Sequence, residues 1–151
     1  MTARTTLAVA VPEAEAPLSA VSVLDASAVI ALLHDEEGSS AVVEAIAAGA
    51  TMSVVNWAEV LSKVAADGDD PREVAARIGA GVSEDAVIWI EALSAADCIE
   101  VAELRPKTKA QGLSLADRAC LALAARLGVP ALTTDREWAK ADVDARVQLI
   151  R

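Results

Sequence analysis

The sequence predicts an α/β fold: three layers, α/β/α, around a mostly parallel central sheet of four to five strands. Three observations carry this. Short β-forming segments at residues 21–24, 51–54, 87–90, 131–134 and 147–150 alternate with helical patterns, the mark of βαβ units. The composition is 54% hydrophobic but only 2% aromatic, and much of the apolar content is alanine, which suits Ala-rich helices packed on a sheet. Acidic residues recur where strands end and helices begin, the edge at which an open α/β sheet has its ligand crevice.

Residues 1–20 read as a flexible or loosely docked extension, with a start site further along the gene as the other explanation. Their apolar run at 7–11 is too short for a signal-peptide core, and Pro12, Glu13 and Glu15 interrupt it. The domain is expected over residues 21–151. Val21, Val23 and Leu24 form the first strand, and residues 26–33 are an apolar helix with Ser27 at its N-cap. After a polar turn at 35–38, Ser39 or Ser40 caps a helix to about Ala48 that Gly49 stops. The strand at 51–54 leads into a helix begun by Asn56 and ended near Gly68. Pro71, in the first helical position after Asp70, opens the next helix, to about Ala80.

The strand at 87–90 follows, with Trp89 as core. Ser94 and Asp97 make a capping box for a helix that Pro106 ends, leaving a polar, basic loop at 107–112. Ser114 opens the longest Ala/Leu helix, closed by Gly128 and Pro130. A buried strand at 131–134, a short helix at 135–140 and an edge strand at 147–150 complete the chain.

A chain of 151 residues is one domain with room for a proper core. No apolar run approaches the roughly 20 residues that span a bilayer. The net charge of −10 argues against a general basic nucleic-acid binder, because phosphate contacts normally come from Lys and Arg. It leaves room for a nuclease that reaches phosphate through a carboxylate-held metal, and it suits a basic protein partner. Cys98 and Cys120 fall on apolar helix faces and read as buried thiols in a reducing cytoplasm. No Cys/His cluster points to zinc, and no Gly-rich phosphate loop points to a nucleotide.

Four acids share one grammar. Asp25 and Asp135 follow strands, and Glu59 and Asp117 lie in the first turns of helices begun by Asn56 and Ser114. Singly, each also reads as a cap or turn residue. Jointly, a parallel sheet brings strand C-termini and helix N-termini to one end and gathers all four. Clustered carboxylates repel and destabilise the fold unless a cation neutralises them. An all-oxygen set favours Mg²⁺ or Mn²⁺.

The segments VLDAS (23–27), NWAE (56–59), GLSLADRACLALA (112–124) and LTTD (132–135) resemble the PIN-domain ribonucleases, and most of all the VapC toxins of bacterial toxin–antitoxin pairs. The stretch LSLADRA (113–119) is the most specific of them. The resemblance runs from about residue 21 to the end. It implies a PIN-like fold and an endoribonuclease that cuts tRNA or rRNA with Mg²⁺ or Mn²⁺. Asp25, Glu59, Asp117 and Asp135 are then the metal-binding quartet, with Ser27 and Thr133 as supporting hydroxyls. It further implies a homodimer and a VapB-type antitoxin that blocks the site. A non-catalytic PIN-like domain that binds RNA or protein is the rival reading.

Among other residues, His34 reads as the dipole-favoured end of the first helix. Arg118 and Arg136, each directly after a quartet acid, either pair locally or grip RNA phosphate. Arg105, Lys107 and Lys109 form a solvated loop or a backbone contact, and Trp57 packs.

Overall fold

The computed structural model describes residues 20–78 and 88–151. The expected N-terminal extension, the end of the helix at Ala80 and the start of the third strand at Val87 lie outside the described residues, apart from Ala20. The elements are β1 (Ser22–Leu24), α1 (Ala26–Leu33), α2 (Ser39–Gly49), β2 (Ala50–Ser53), α3 (Val54–Ala66), α4 (Pro71–Ile78), β3 (Ile88–Glu91), α5 (Ala95–Thr108), α6 (Leu115–Leu127), β4 (Ala131–Thr133) and β5 (Val147–Leu149). Single 3₁₀ segments at Lys109–Gln111 and Arg136–Lys140 follow α5 and β4.

The strands form one five-stranded sheet in the order β3-β2-β1-β4-β5, every neighbouring pair parallel. Side chains alternate across it. Leu24 and Leu132 join a core with Val29, Ile46, Met52, Trp57 and Val60 on one face. Val23 and Ala131 join a core with Val101, Leu104, Leu121, Leu123 and Trp138 on the other. The chain leaves β1 toward β2 on one side, and β4 returns on the opposite side. The carboxyl ends of β1 and β4 therefore flank the switch point of the sheet, where α/β folds place their ligand crevice.

Several boundaries differ from the sequence reading, each for a local reason. The strand expected to include Val54 stops at Ser53, whose hydroxyl accepts the Asn56 N–H at 3.1 Å and so starts α3 two residues before Asn56. Asp25, not Ser27, occupies the N-cap position of α1, and Gly38 precedes α2 without any side-chain cap. Pro106 does not end α5, which runs on to Thr108. The helical bond that a proline cannot make belongs to the carbonyl of Ala102, an exposed residue whose carbonyl has water as an alternative partner. The Thr108 hydroxyl then donates to the Leu104 carbonyl at 2.8 Å, so part of the expected basic loop is helix.

Cys98 is exposed, contrary to the expectation, whereas Cys120 is buried. The buried stripe of α5 is Asp97, Val101, Leu104 and Thr108, with Asp97 paired to Arg126 at 2.9 Å, and this leaves Cys98 on the flank. Trp89 is only half-buried on β3, while Trp138, in a charged stretch, is 1% exposed and among the largest fully buried side chains. Both capping boxes, at Ser94 with Asp97 and at Ser114 with Asp117, form as expected. His34 ends α1 and lies 3.7 Å from Glu36.

Gly38 adopts φ +93°, and a Cβ there would lie 2.6 Å from the Ile150 carbonyl oxygen. Gly68 has the same φ with nothing within 4 Å. Gly38→Ala is expected to lower the melting temperature by several degrees, combining left-handed strain of about 1–2 kcal/mol with the clash. Gly68→Ala carries the strain alone and should cost less. Thermal melts of the two variants check the ordering; equal losses would mean that the carbonyl of Ile150 moves aside freely.

Candidate metal centre

Asp25 is the first residue after β1 and is 3% exposed. A carboxylate so buried needs donors around it, and three side chains supply them. Ser27 Oγ donates to Asp25 Oδ2 at 2.6 Å, and Thr133 Oγ1 donates to the same oxygen at 2.9 Å. Asn56 Nδ2 donates to Asp25 Oδ1 at 3.3 Å. The two hydroxyls are themselves aimed by the backbone leaving β4. The Thr134 N–H donates to Ser27 Oγ at 3.0 Å and the Asp135 N–H to Thr133 Oγ1 at 3.1 Å. With those N–H groups on their oxygens, the hydroxyl protons are left to face Asp25.

Asp117 reaches the same place from the first turn of α6. Its Oδ2 accepts the Ser114 N–H at 2.7 Å, completing the capping box. The cap and site readings of Asp117 are thus compatible, because one carboxylate has lone pairs for both. Glu59 lies in the second turn of α3, one turn further in than expected, since that helix begins earlier. Asp25, Glu59 and Asp117 each offer an oxygen within 4.8 Å of the others.

Asp135 lies outside that group of three. It caps the 3₁₀ segment at Arg136–Lys140 through Oδ1, which accepts the Glu137 N–H at 2.9 Å. It is exposed, two residues beyond Thr133 at the same sheet edge. Arg118 is buried and turned toward α5, where Nη1 donates to the Val101 carbonyl at 2.7 Å and Nε to the Ser114 carbonyl at 3.3 Å. Arg105, Lys107, Lys109 and Arg136 are exposed, and Trp57 belongs to the core.

Sequence reasoning missed Ser53 and Asn56 as part of the site. Asn56 was readable only as a helix start. The Ser53-x-x-Asn56 spacing of a cap, which moves that start upstream, was the available signal.

Burial pushes the Asp25 carboxyl above its ordinary value. The negative charge of Asp117 adds to this, while the bonds from Ser27, Thr133 and the Ala26 amide oppose it. Burial also raises Glu59, followed by the charges of Asp25 and Asp117. Beneath them, burial first and then the same three acids push the Cys120 thiol well up. The cluster is thus a negative well built before any cation is present.

The donor set fits a hard divalent ion. At the metal–oxygen distance of about 2.1 Å typical of Mg²⁺, octahedral ligand oxygens lie about 3.0 Å apart when adjacent and about 4.2 Å when opposite. Three oxygens within 4.8 Å need only small side-chain adjustments to reach that. No Cys or His belongs to the group, which disfavours zinc.

In this all-parallel α/β domain the carboxylate cluster lies at the switch point of the sheet, where a ligand or cation would bind. The PIN domain family model matches residues 22–144, and the chain belongs to that family. Solved structures share the fold. A toxin–antitoxin complex from Klebsiella pneumoniae aligns at 19% identity and TM-score 0.63, over 86% of this chain and 98% of that one. DNA-bound VapBC from Salmonella typhimurium gives 14% identity and TM-score 0.64, over 87% and 98%. VapC20 from Mycobacterium tuberculosis, a sarcin–ricin loop cleaving toxin, gives 18% identity and TM-score 0.57, over 83% and 98%. Among curated proteins none matches the sequence.

The raised carboxyls set a pH dependence. Groups whose folded values exceed the unfolded ones contribute stability that is full below the unfolded values near pH 4 and lost as pH rises through the folded values. Mn²⁺ competes with those protons. Its stabilisation, about 2.7 kcal/mol at a hundredfold excess over Kd, should therefore be larger at pH 7.5 than at pH 5. Melts with and without Mn²⁺ at both pH values test this, and an equal shift at both would contradict it. Glu59→Gln removes repulsion at an exposed position. It should raise the metal-free melting temperature slightly, on the order of 1 °C, while reducing the Mn²⁺ shift.

Proposed function

We propose that the protein is a metal-dependent endoribonuclease of the VapC toxin type. The observation that carries this is the convergence of Asp25, Glu59 and Asp117 at the switch point of a PIN-family sheet. These three would hold Mg²⁺ or Mn²⁺, with Asp135 as the fourth acid of the site at the exit of β4. An ion held there would supply a water of lowered pKa and would offset charge developing on a phosphodiester. Ser27 and Thr133 hold Asp25 in place, and exposed Arg136 is placed to meet backbone phosphate.

The toxin reading is supported by the resemblance of the motifs and by structural neighbours solved as toxin–antitoxin complexes. It brings with it a structured RNA substrate (tRNA or rRNA), a homodimer, a cytoplasmic site of action and a VapB-type antitoxin. A net charge of −10 and an acidic crevice favour an antitoxin with a basic segment that competes for the site. Among the described residues, no helix is long and apolar enough to cross a membrane.

Incubation of the purified protein with total bacterial RNA and Mg²⁺ or Mn²⁺ should yield discrete fragments, abolished by EDTA. Asp117→Asn keeps an oxygen for the Ser114 cap and so should fold. It should nevertheless cut at least about a hundredfold more slowly, because even outer-shell partners of a metal are worth about 10–100-fold. Absence of cleavage with every metal, from protein shown free of antitoxin, would overturn the nuclease reading in favour of a binding-only domain.

A further inference from the structure

We propose that Asn56 is a positioning residue that fixes the relative placement of Asp25, Glu59 and Asp117; the inference rests on their reading as metal ligands. Asn56 is 0% exposed, and its carboxamide makes every bond the site offers it. One Nδ2 proton goes to Asp25 Oδ1 at 3.3 Å and the other to the Ala116 carbonyl at 3.0 Å. Its Oδ1 accepts the Ser53 hydroxyl. Ala116 immediately precedes Asp117, and Asn56 lies three residues before Glu59, close to one turn of the same helix. A single amide therefore ties the carboxyl end of β1, the first turn of α6 and the start of α3, the three places that carry the acids.

Ser53 determines which way that amide faces. Its oxygen already accepts the Asn56 N–H at 3.1 Å, so its one proton is available for Asn56 Oδ1. With Oδ1 engaged there, the NH₂ must face Asp25. The opposite orientation would set an amide oxygen against a carboxylate. Aspartate would add a second buried negative charge beside Asp25, and an apolar residue would leave the Ala116 carbonyl without this donor. Asn56 touches Asp25 and the α6 backbone rather than reacting atoms, so its effect on chemistry would pass through the acids.

The test is Mn²⁺ affinity, measured by electron paramagnetic resonance or calorimetry on wild type, Asn56→Ala and Ser53→Ala, beside the metal-free melt of each. Folded Asn56→Ala is expected to bind Mn²⁺ about tenfold or more weakly, in the range seen for outer-shell partners. Ser53→Ala, which keeps the carboxamide but frees it to turn, should weaken binding in the same direction and less. A purely structural role would lower the melt and leave the affinity of folded protein unchanged. Dissociation constants within twofold of wild type in the folded variants would overturn the proposal. If Asn56→Ala does not fold, Ser53→Ala decides alone. Wild type that binds no Mn²⁺ would instead overturn the metal reading, and this inference with it.

Discussion

A carboxylate cannot be buried at the end of a strand without an arrangement to receive it, and at Asp25 that arrangement organises the neighbouring elements. Desolvating such a charge costs several kcal/mol. Hydrogen bonds to a charged group return about 1.5–3 kcal/mol each. The three side-chain donors on Asp25 come from α1, α3 and β4. Offsetting one charge therefore requires a helix start, a helix start on a neighbouring strand, and a strand end to meet at one point. The donors are in turn oriented by backbone N–H groups of Thr134, Asp135 and Asn56. Main-chain geometry is thereby transmitted to the carboxylate.

The sheet order explains why this happens between β1 and β4. In a parallel sheet, each strand end abuts the start of a helix. At the switch point the following elements diverge and leave a crevice instead of a packed seam. At that edge Glu59 is exposed and Asp117 half-buried, so only Asp25 bears full burial, yet the three remain close enough to converge. Ser53 shows how economically the edge is built, since it is both the last residue of β2 and the cap of α3. With no loop between strand and helix, α3 has little freedom in how it presents Asn56 and Glu59.

Much of this was legible in the sequence because the strongest signals are local. Alternating strand and helix patterns indicated a mostly parallel sheet of four to five strands, where the structure has five, all parallel, and capping spacing indicated the starts of α5 and α6. Parallelism predicted that four acids gather at one edge; Asp25, Glu59 and Asp117 do so, while Asp135 lies outside their group. What was not legible depends on contacts between distant segments. Trp138 sits in a stretch of charge yet is buried in the core it shares with Val101, Leu104, Leu121 and Leu123. Cys98 reads as apolar-face until the Asp97–Arg126 pair claims the buried stripe of α5 for the acid. Pro106 looks like a helix end unless the exposure of Ala102 is known. Asn56 reads as a cap, and only its bonds to Asp25 and to the Ala116 carbonyl, from distant parts of the chain, reveal that it points into the site.

The three clustered acids are not equally provided for, and the inequality bears on what a cation would change. Asp25 has three side-chain donors, and Asp117 has the Ser114 N–H together with the first-turn dipole of α6. Glu59, in the second turn of α3, lies where the dipole has largely faded, and no described residue donates to its carboxylate. It is also the most exposed of the three, and still its carboxyl is raised by burial and by both neighbouring charges. Protein donors therefore hold Asp25 and Asp117 in place, while Glu59, without one, would be the acid left to adjust if a cation bound there. A site with two fixed oxygens and one adjustable oxygen can bind a divalent ion firmly and still open a coordination position to substrate. A protein donor on Glu59 would remove that freedom.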